Sequence, residues 1–322
     1  ISWNTSLSSV QAGLAYMEQE RIRQDLRARL RSLYFRFLKA GKAMEIIQED
    51  VKRSERHLEE AKSRQKQGMA IRMDILEAQI TLGQSQQELI KIGNEKEQAR
   101  LALLSILEFP EDSHITFSEE QWIRPPEESE FPEKDVPLTD RPEICVADLE
   151  IAFAQMRVAL AESSRKPNVM FEGSGCVGRP GLDAVQNEWM TYATAGLRLN
   201  FDLYRGGAIK AQVQEKQKLV HATESRRQGI ARQIKLERQS AWLTVTTAKG
   251  NWELAAQIVG TAEERFRVME SMWREGLATE TAYQDAREAM TQSRLSLSTA
   301  ILDYRLAIAE LIRANGEMET QP

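Results

Sequence analysis

The sequence predicts a mainly α-helical protein built from two long antiparallel coiled-coil hairpins, with one pair of β-strands between them. Three observations predict this fold: an internal repeat, seven-residue apolar spacing in both copies, and a short region in which apolar and polar residues alternate. No proline interrupts residues 14–107 or 208–315. Each of these stretches can therefore form helices much longer than the average globular helix of about 11 residues.

The repeat is visible as one alignment without gaps. Gly68 and Gly276 are 208 positions apart (276 minus 68), and shifting the chain by this amount aligns further core-type residues. The matched pairs are Val51 with Val259, Ala78 with Ala286, Ser85 with Ser293, Leu89 with Leu297, Ala99 with Ala307, and Leu103 with Leu311. A single offset that holds along both copies indicates a duplicated unit.

The first copy, residues 1–107, has the spacing of a coiled-coil hairpin. Its seam advances by four and three residues, and its members are Ile47, Val51, Ser54, Leu58 and Ala61, then Ile75, Ala78 and Leu82 after a turn. The spacing predicts a helix from about residue 14 to residue 66, roughly 80 Å long, and a second helix that runs back. Gly68 lies at the reversal, where glycine can adopt the left-handed conformation that ends many helices.

Between the copies the pattern changes three times. Residues 108–140 are rich in proline and acidic residues, which predicts a linker or an irregular equatorial segment. Residues 141–166 have the pattern of an amphipathic helix that ends before Pro167. Residues 167–204 contain two alternating stretches and predict a β-strand pair. The second hairpin, residues 205–316, reverses at Gly276 and precedes a short tail at residues 317–322.

The strand pair predicts two faces of different polarity. Its second strand carries apolar side chains at odd positions and polar side chains at even positions, as Leu197 and Arg198 illustrate. A strand between lipid and water has this pattern, and so does an ordinary soluble hairpin, so periodicity alone leaves both interpretations open. No run of apolar residues approaches the ~18 needed for a membrane-spanning helix.

Motifs for other chemistry are weak or absent. Gly173, Gly175 and Gly178 fit a dinucleotide-binding pattern, but the strand-like context does not offer the helix N-terminus that would hold a pyrophosphate. The net charge of −5 argues against nucleic acid as a partner. His57 and His221 fall on long charged helices and are predicted to be solvated. We expect no cofactor, no metal site and no enzyme activity.

The order of these features resembles the outer membrane efflux protein family, the TolC-like outer-membrane channels. Three segments carry the resemblance: RQKQGMAIRMDILEAQ at residues 64–79, WREGLATETAYQDA at residues 273–286, and LRLNFDLYRGGAIKAQV at residues 197–213. The predicted helix at residues 141–166 also looks like the family helix that leads into a strand pair. Together with the duplication, these segments cover most of the chain.

The resemblance implies a homotrimer in the outer membrane of a Gram-negative bacterium, with helices in the periplasm and strands that close one barrel shared by three chains. It implies a passive export conduit of a tripartite efflux pump or type I secretion system. The implied partners are a periplasmic adaptor (membrane fusion protein), an inner-membrane pump or ABC exporter, and outer-membrane lipid.

The resemblance also assigns candidate residues by position. The hairpin tips that would contact the adaptor are Arg64, Gly68, Met69, Ala70, Gly276, Leu277, Ala278 and Thr279. Acidic residues that could narrow the entrance are Asp74, Glu77, Glu280 and Asp285, although a solvated helix face is the better interpretation of all four. The strand residues expected to face lipid are Leu197, Leu199, Phe201 and Leu203.

One departure from the family raises an alternative. A family protomer normally supplies two strand pairs, whereas this sequence encodes one, and the first copy lacks the leading helix of the second. We therefore expect a chain truncated at its N-terminus. The rival hypothesis is a periplasmic adaptor or coiled-coil scaffold without channel activity, and an adaptor would have one hairpin where this chain has two.

Overall fold

The computed structural model describes residues 2–113, 124–127, 141–179 and 188–316. In this part of the chain five helices accompany one two-stranded sheet, which confirms the predicted mainly α-helical fold. In chain order the elements are α1 (Ser2–Lys66), α2 (Arg72–Ile106), α3 (Pro142–Ser163), β1 (Asn168–Gly178), β2 (Met190–Asn200), α4 (Ala208–Arg274) and α5 (Glu280–Asn315).

The first helix starts earlier than the sequence predicted. The expected start near residue 14 is wrong, because α1 already includes Ser2. Gly13 does not interrupt the helix, and it lies against Leu149 of α3, where an added Cβ would be 3.6 Å from Leu149 Cδ1. A small residue here allows the two helices to approach closely.

The chain forms two compact units that are discontinuous in sequence. One unit comprises residues 1–20 and 139–232, and the other comprises residues 21–138 and 233–322. Both α1 and α4 contribute residues to each unit, because their ranges cross the boundaries at residues 20 and 232.

In the unit that contains the sheet, β1 and β2 pair along their whole length. The antiparallel register runs from Asn168 opposite Asn200 to Gly178 opposite Met190. Helix α3 begins with Pro142 in its first turn, where the missing N–H of proline has no helical partner to lose. The Arg227 guanidinium of α4 donates to Asp148 of α3 at 2.7 Å and so ties these two helices together.

In the other unit the predicted seams are buried. Ile47 and Val51 of α1 pack with Ile92 of α2, and Leu58 and Ala61 pack with Ala78 nearer the turn. The second hairpin packs in the same way, through Val245, Ala248, Tyr304, Ala307, Ile308 and Leu311. A further cluster joins the hairpins, because Phe35 and Leu38 of α1 pack with Leu302 of α5.

None of the helices in the described part of the chain combines the length and apolar character needed to cross a membrane. Most of the predicted linker, residues 108–140, and the predicted tail lie outside the described residues.

Candidate functional site

The first hairpin tip reverses through a glycine-ended helix cap. The Gly68 N–H donates to the Gln65 carbonyl at 2.9 Å, and the Met69 N–H donates to the Arg64 carbonyl at 2.9 Å. These two bonds are the Schellman pattern, and it requires a left-handed residue, which Gly68 supplies with φ of 76°. Met69 and Gly68 are exposed at the turn.

The second tip repeats this geometry at equivalent positions. The Gly276 N–H donates to the Trp273 carbonyl at 3.0 Å, and the Leu277 N–H donates to the Met272 carbonyl at 2.8 Å. Gly276 also has φ of 76°. The next helix begins after Thr279, whose hydroxyl accepts from the Ala282 N–H at 3.2 Å. The duplication seen in the sequence therefore extends to the cap hydrogen bonds.

Arg64 connects the two tips. Its Nη1 donates to the Trp273 carbonyl at 2.8 Å, and its guanidinium lies over the Trp273 ring with 4.6 Å between Cζ and the ring centroid. A Cβ added to Gly276 would be 3.8 Å from Arg64 Nη2. Among the predicted tip residues, Arg64 is the one that brings the first tip against the second.

Three of the four candidate acidic residues lie on accessible faces. Asp74 has a local role, because its carboxylate accepts from the Ile71 N–H at 2.9 Å and so caps the start of α2. Glu77 is partly exposed and Asp285 is exposed. For these three, the structure places the side chains where a solvated face was expected.

For Glu280 the expected solvated face is wrong. Its side chain is 6% exposed, and its Oε1 atom lies 2.5 Å from His57 Nε2. The expected solvated position of His57 is also wrong, because this residue is 3% exposed. Both errors have one cause: His57 and Glu280 contact each other across the two hairpins, 223 positions apart in the sequence. His221, by contrast, is exposed as predicted.

An aromatic cluster surrounds this pair, and we call His57, Trp273, Glu280 and Tyr283 the tip cluster. The His57 ring stacks on Tyr283 with 4.4 Å between centroids and an angle of 18° between planes. It also lies 4.5 Å from the Trp273 ring centroid. The cluster thus joins α1 to both helices of the second hairpin.

Two groups of the tip cluster, Glu280 and Tyr283, have pKa values shifted by burial and by hydrogen bonds. Burial acts to raise the pKa of Glu280, but hydrogen bonds from His57, Gln284 and Trp273 outweigh it and hold this pKa below the ordinary glutamate value. Burial raises the pKa of Tyr283 far above its ordinary value. Glu280 is therefore ionised and Tyr283 neutral near pH 7.

A second buried polar group lies along the same helices, and we call it the buried ion network. Its members are Asp50 and Ser54 of α1, Ser85 of α2, and Arg287 and Thr291 of α5. Arg287 Nη1 donates to Asp50 Oδ2 at 2.6 Å, and the Thr291 hydroxyl donates to Asp50 Oδ1 at 2.9 Å. Ser85 Oγ donates to Asp50 Oδ2 at 2.8 Å. The Asp50 carboxylate is thus paired and hydrogen-bonded on both oxygens, as a buried charge must be.

Sequence reasoning missed the ion pair between Asp50 and Arg287, although a signal was present. Asp50, His57 and Arg64 of α1 are spaced by seven residues, and each contacts the second hairpin. On α5, Glu280 and Arg287 are also seven apart. Seven-residue spacing places side chains on one helix face, so a polar line with this spacing beside an apolar seam indicates a second helix interface.

The strand pair has one apolar and one polar face. Leu197 and Leu199 of β2 lie opposite Phe171 and Val169 of β1, so these four side chains share a face. On the other face, Ser174 and Thr194 are joined by a hydrogen bond of 2.8 Å between their hydroxyls. The predicted membership of Phe201 and Leu203 in this strand is wrong, because β2 ends at Asn200.

The leucines of the apolar face are highly exposed in the single chain: 77% for Leu197 and 66% for Leu199. The three glycines of the dinucleotide-like motif all lie in β1, so no helix begins at Gly178 in this structure. Within the described residues, no group of three or more His, Cys, Asp or Glu side chains could hold a metal ion.

The fold is similar to that of several solved outer-membrane proteins. A membrane protein from Pseudomonas aeruginosa superposes with a TM-score of 0.81 at 16% identity, over 98% of this chain and 73% of that one. The outer membrane protein VceC from Vibrio cholerae gives 0.77 at 16% identity, over 97% and 74%. The open state of the MtrE outer membrane channel of Neisseria gonorrhoeae gives 0.78 at 15% identity, over 100% and 73%.

At these identities the likeness shows the fold, which confirms the predicted TolC-like arrangement of helical hairpins and strands. No curated protein matches the chain in sequence. The sequence model of the outer membrane efflux proteins matches residues 1–107 and 137–317, which is most of the chain. The chain therefore belongs to the outer membrane efflux protein family.

Proposed function

We propose that this chain is one protomer of a trimeric passive export channel, and that its two hairpin tips form the periplasmic entrance. As an outer membrane efflux protein, the chain is an outer-membrane channel component of an efflux system. The observation that carries the entrance assignment is the contact between two tips with the same cap geometry, made by Arg64 on Trp273. Two hairpin tips held side by side form an end of the helical region that can close or open when the tips move.

The first tip also offers a surface for the periplasmic adaptor. Met69, Met73, Leu76 and Ile80 are all between 42% and 61% exposed, and the last three follow one another at helical steps of three and four on α2. A helix of a partner could pack on such a stripe in the manner of a coiled coil. We assign this stripe to the adaptor, which in turn would engage an inner-membrane pump or ABC exporter.

The proposed mechanism is a change of helix packing, and it includes no covalent step. Opening requires the second hairpin to move away from α1, so the contacts of Arg64, the tip cluster and the buried ion network must break or rearrange. These contacts are directional and few, so they favour two discrete arrangements over a continuous range. Solved channels of this fold include one described as an open state.

The rival hypothesis, an adaptor or scaffold without channel activity, is not supported. The family that matches the chain is that of outer membrane efflux proteins, and it matches both hairpins and the strand pair. Its members are passive channels, so catalysis has no place in the proposal.

The proposal is tested by single-channel recording in planar lipid bilayers with the purified natural assembly. We expect a water-filled conductance for the wild-type protein and a clearly larger mean conductance for Arg64→Ala, because this change removes the bond between the tips. Arg267→Ala is the matched control, since the Arg267 side chain is 75% exposed and pairs with Glu264 of its own helix. Absence of conductance would overturn the channel assignment. Equal conductance of Arg64→Ala and the wild type would overturn the assignment of the entrance.

A further inference from the structure

The second hairpin has an open groove along its two helices, with a volume of about 1130 Å³. Leu243, Leu254 and Ile258 of α4 line one side of the groove and are between 57% and 66% exposed. The α5 side consists largely of small residues, namely Ala289, Ser293, Ser296, Thr299 and Ala300. A groove with apolar walls and small side chains admits another helix at close range.

The internal repeat shows that the equivalent surface of the first hairpin is buried. Subtracting 208 from 243 and from 258 gives 35 and 50, so Leu243 and Ile258 correspond to Phe35 and Asp50 of α1. Phe35 is 1% exposed and Asp50 is 4% exposed, against 66% for Leu243 and 57% for Ile258. The same surface is therefore covered in one copy of the repeat and open in the other.

Helix α5 covers the first hairpin, and it does so through one face. Leu302 packs with Phe35, and the Thr291 hydroxyl donates to Asp50 at 2.9 Å. Leu295 packs on the apolar cluster between α1 and α2. Positions 291, 295 and 302 are separated by four and seven residues, which places their side chains on the same side of the helix.

Helix α2 is the repeat equivalent of α5, and the same face of α2 is uncovered. Subtracting 208 from 291, 295 and 302 gives Gly83, Gln87 and Asn94, and all three are exposed. Ile90 and Leu101 continue this face at heptad spacing and are 67% and 37% exposed. The chain thus carries an open groove on one hairpin and, on the other, a free helix face equivalent to the one that fills such a groove.

The groove is not covered by α2 of the same chain. Among the described residues, the hydrophobic clusters join α2 to α1 and α5, and α4 to α5, but none contains residues of both α2 and α4. Helices α1 and α4 end at a tip, whereas α2 and α5 begin at one. If two copies have their tips at the same end, α4 of one and α2 of the other run in opposite directions, as α1 and α5 do.

We propose that the groove of the second hairpin binds α2 of a second copy of this chain, in the way that the first hairpin binds α5. This proposal rests on the trimeric assembly proposed above, and it assigns the faces through which the protomers meet. The contact continues the interface between the two hairpins from one chain to the next. It is head to tail, because the groove and the helix face are different surfaces, so a closed ring of copies occupies every groove.

The repeat also gives the register of this contact. Gly83 of one copy takes the place of Thr291, and Ile258 of the next copy takes the place of Asp50. An added Cβ on Gly83 would meet no atom within 4 Å, so this position leaves room for the Ile258 side chain. A glycine inside a helix costs roughly 1 kcal/mol relative to alanine, and close approach of another helix explains its presence here.

The polarity of the two contacts distinguishes them. Gln79 stands at the position equivalent to Arg287, and Ile258 at the position equivalent to Asp50, so the contact between copies lacks the buried ion pair. A face that contains Asp50 therefore does not match the face of α2, because its charge would lose its cation. The two contacts consequently do not exchange partners.

The equivalence ends near the tips. Subtracting 208 from 280 gives Arg72, and adding 208 to 57 gives Arg265, so two arginines replace the pair of Glu280 and His57. Like charges facing each other are unfavourable, so the contact between copies does not extend to this level. The tip end of α2, with Met73 and the rest of the exposed stripe, therefore stays available to the adaptor.

Cysteine cross-linking of the purified full-length assembly tests this contact. Asn94→Cys and Leu243→Cys are introduced together after Cys145→Ala and Cys176→Ser have removed the native thiols. We expect oxidation to give covalent dimers and trimers on denaturing electrophoresis, because the equivalent residues of α5 and α1 pack in one cluster. Asn94 and Leu243 are exposed in the single chain, so these changes leave its fold intact.

The matched control pair combines Asn94→Cys with Leu254→Cys. Leu254 lines the same groove, but it lies 11 residues from Leu243, or roughly 16 Å along the helix, so this pair should not cross-link. Each single variant should also remain uncross-linked, because the contact joins unlike faces. A product from a single variant, equal yields from the two pairs, or no product from Asn94→Cys with Leu243→Cys overturns the proposal. The last result is expected if a different protein fills the groove.

A second measurement does not depend on disulfide formation. Gly83→Trp fills the space assigned to Ile258 of the next copy, and we expect the trimer to dissociate at about tenfold higher protein concentration or more. Gln84→Trp is the control, because this exposed neighbour is turned about 100° away around the helix. Light scattering measures the assembly and circular dichroism measures the fold. Folded Gly83→Trp that assembles like the wild type overturns the proposal.

Conductance of the wild type, recorded from the same preparation, tests the channel separately. A conducting assembly whose designed pair fails to cross-link retains the proposed function and loses this contact. A cross-linked trimer without conductance retains the contact and loses the channel assignment.

Discussion

Asp50 illustrates how much one buried carboxylate can hold in place. It accepts hydrogen bonds from side chains of two other helices, Ser85 of α2 and both Arg287 and Thr291 of α5. Water could satisfy the same carboxylate in an unfolded chain, so the net stabilisation by the network is small compared with the cost of leaving it incomplete. The network therefore specifies how the two hairpins pack more than it stabilises them.

Removing one partner of the Asp50–Arg287 pair should destabilise the protein much more than replacing both partners with apolar residues. We expect Arg287→Ala to lower the free energy of unfolding by roughly 3–5 kcal/mol, because it removes the cation 2.6 Å from the buried Asp50 carboxylate and leaves the Arg53 guanidinium at 4.0 Å as a weaker partner. The double variant Asp50→Leu with Arg287→Met should recover most of this loss. Denaturant unfolding followed by circular dichroism compares the variants. A single variant as stable as the double one would contradict the account.

Sequence reasoning at this scale succeeded for seam residues and failed for the polar ones. Val51, Leu58 and Ala78 repeat at helical steps within one hairpin, so local spacing is enough to predict that they are buried. The burial of His57 is not predicted by local apolar spacing. The residues that cover it lie far along the chain, at positions 273, 280 and 283. Such burial depends on which hairpin face meets which, and a single sequence does not state this.

The helix ends at the two hairpin tips are the features that sequence reasoning predicted most closely. The last residues of α1 and α4, Lys66 and Arg274, are related by the 208-residue offset, and so are the first residues of α2 and α5, Arg72 and Glu280. Glycine explains this success, because a helix commonly ends just before a residue in the left-handed conformation, and glycine adopts this conformation most easily. The end of β2 was predicted less well, since nothing in the alternation of residues 197–203 marks Asn200 as its last residue.

The two tip glycines should respond to substitution in the same way. Gly68→Ala and Gly276→Ala should each lower the free energy of unfolding by about 1–2 kcal/mol, because each forces a side chain into a left-handed conformation. Neither position has an atom close enough to obstruct a Cβ, so the effect measures the backbone alone.

Gly93→Ala provides the contrast, and should stabilise the protein by about 0.5–1 kcal/mol, since it lies inside α2 with open space around its Cα. Thermal unfolding measures all three variants. If Gly93→Ala and the tip variants changed the melting temperature in the same direction, this account would be contradicted.

At the scale of the whole molecule, the strand pair has an apolar face that the single chain leaves highly exposed. Val169, Phe171, Leu197 and Leu199 form one apolar face, and each of them is at least 61% exposed. Soluble proteins rarely leave an apolar face of this kind uncovered, and outer-membrane location offers lipid as its cover.

We expect Leu197→Arg to reduce the amount of assembled protein in the outer membrane several-fold. An arginine on a lipid-facing strand position costs about 2–4 kcal/mol at the bilayer centre. Thr194→Arg is the control, because it places the same charge on the opposite face of the same strand. Fractionation of cells followed by heat-modified electrophoresis measures both variants. Equal loss for the two would remove the distinction between the faces.

At this scale the sequence was enough to predict the elements of the fold, but not which elements pack together. One offset was enough to recognise two hairpins, and alternation was enough to recognise the strands. The division into two units was not predicted, because the units combine the start of the chain with residues 139–232. No periodic pattern in the sequence states which of these distant segments contact each other.

The contacts between the hairpins also show that duplication was followed by specialisation. At the positions equivalent to Asp50 and His57, the second copy carries Ile258 and Arg265, and at the position equivalent to Glu280 the first copy carries Arg72. Each half thus supplies groups that the other half lacks. Two first halves or two second halves could not reproduce these bonds, so fragments expressed separately would recognise only their unlike counterpart.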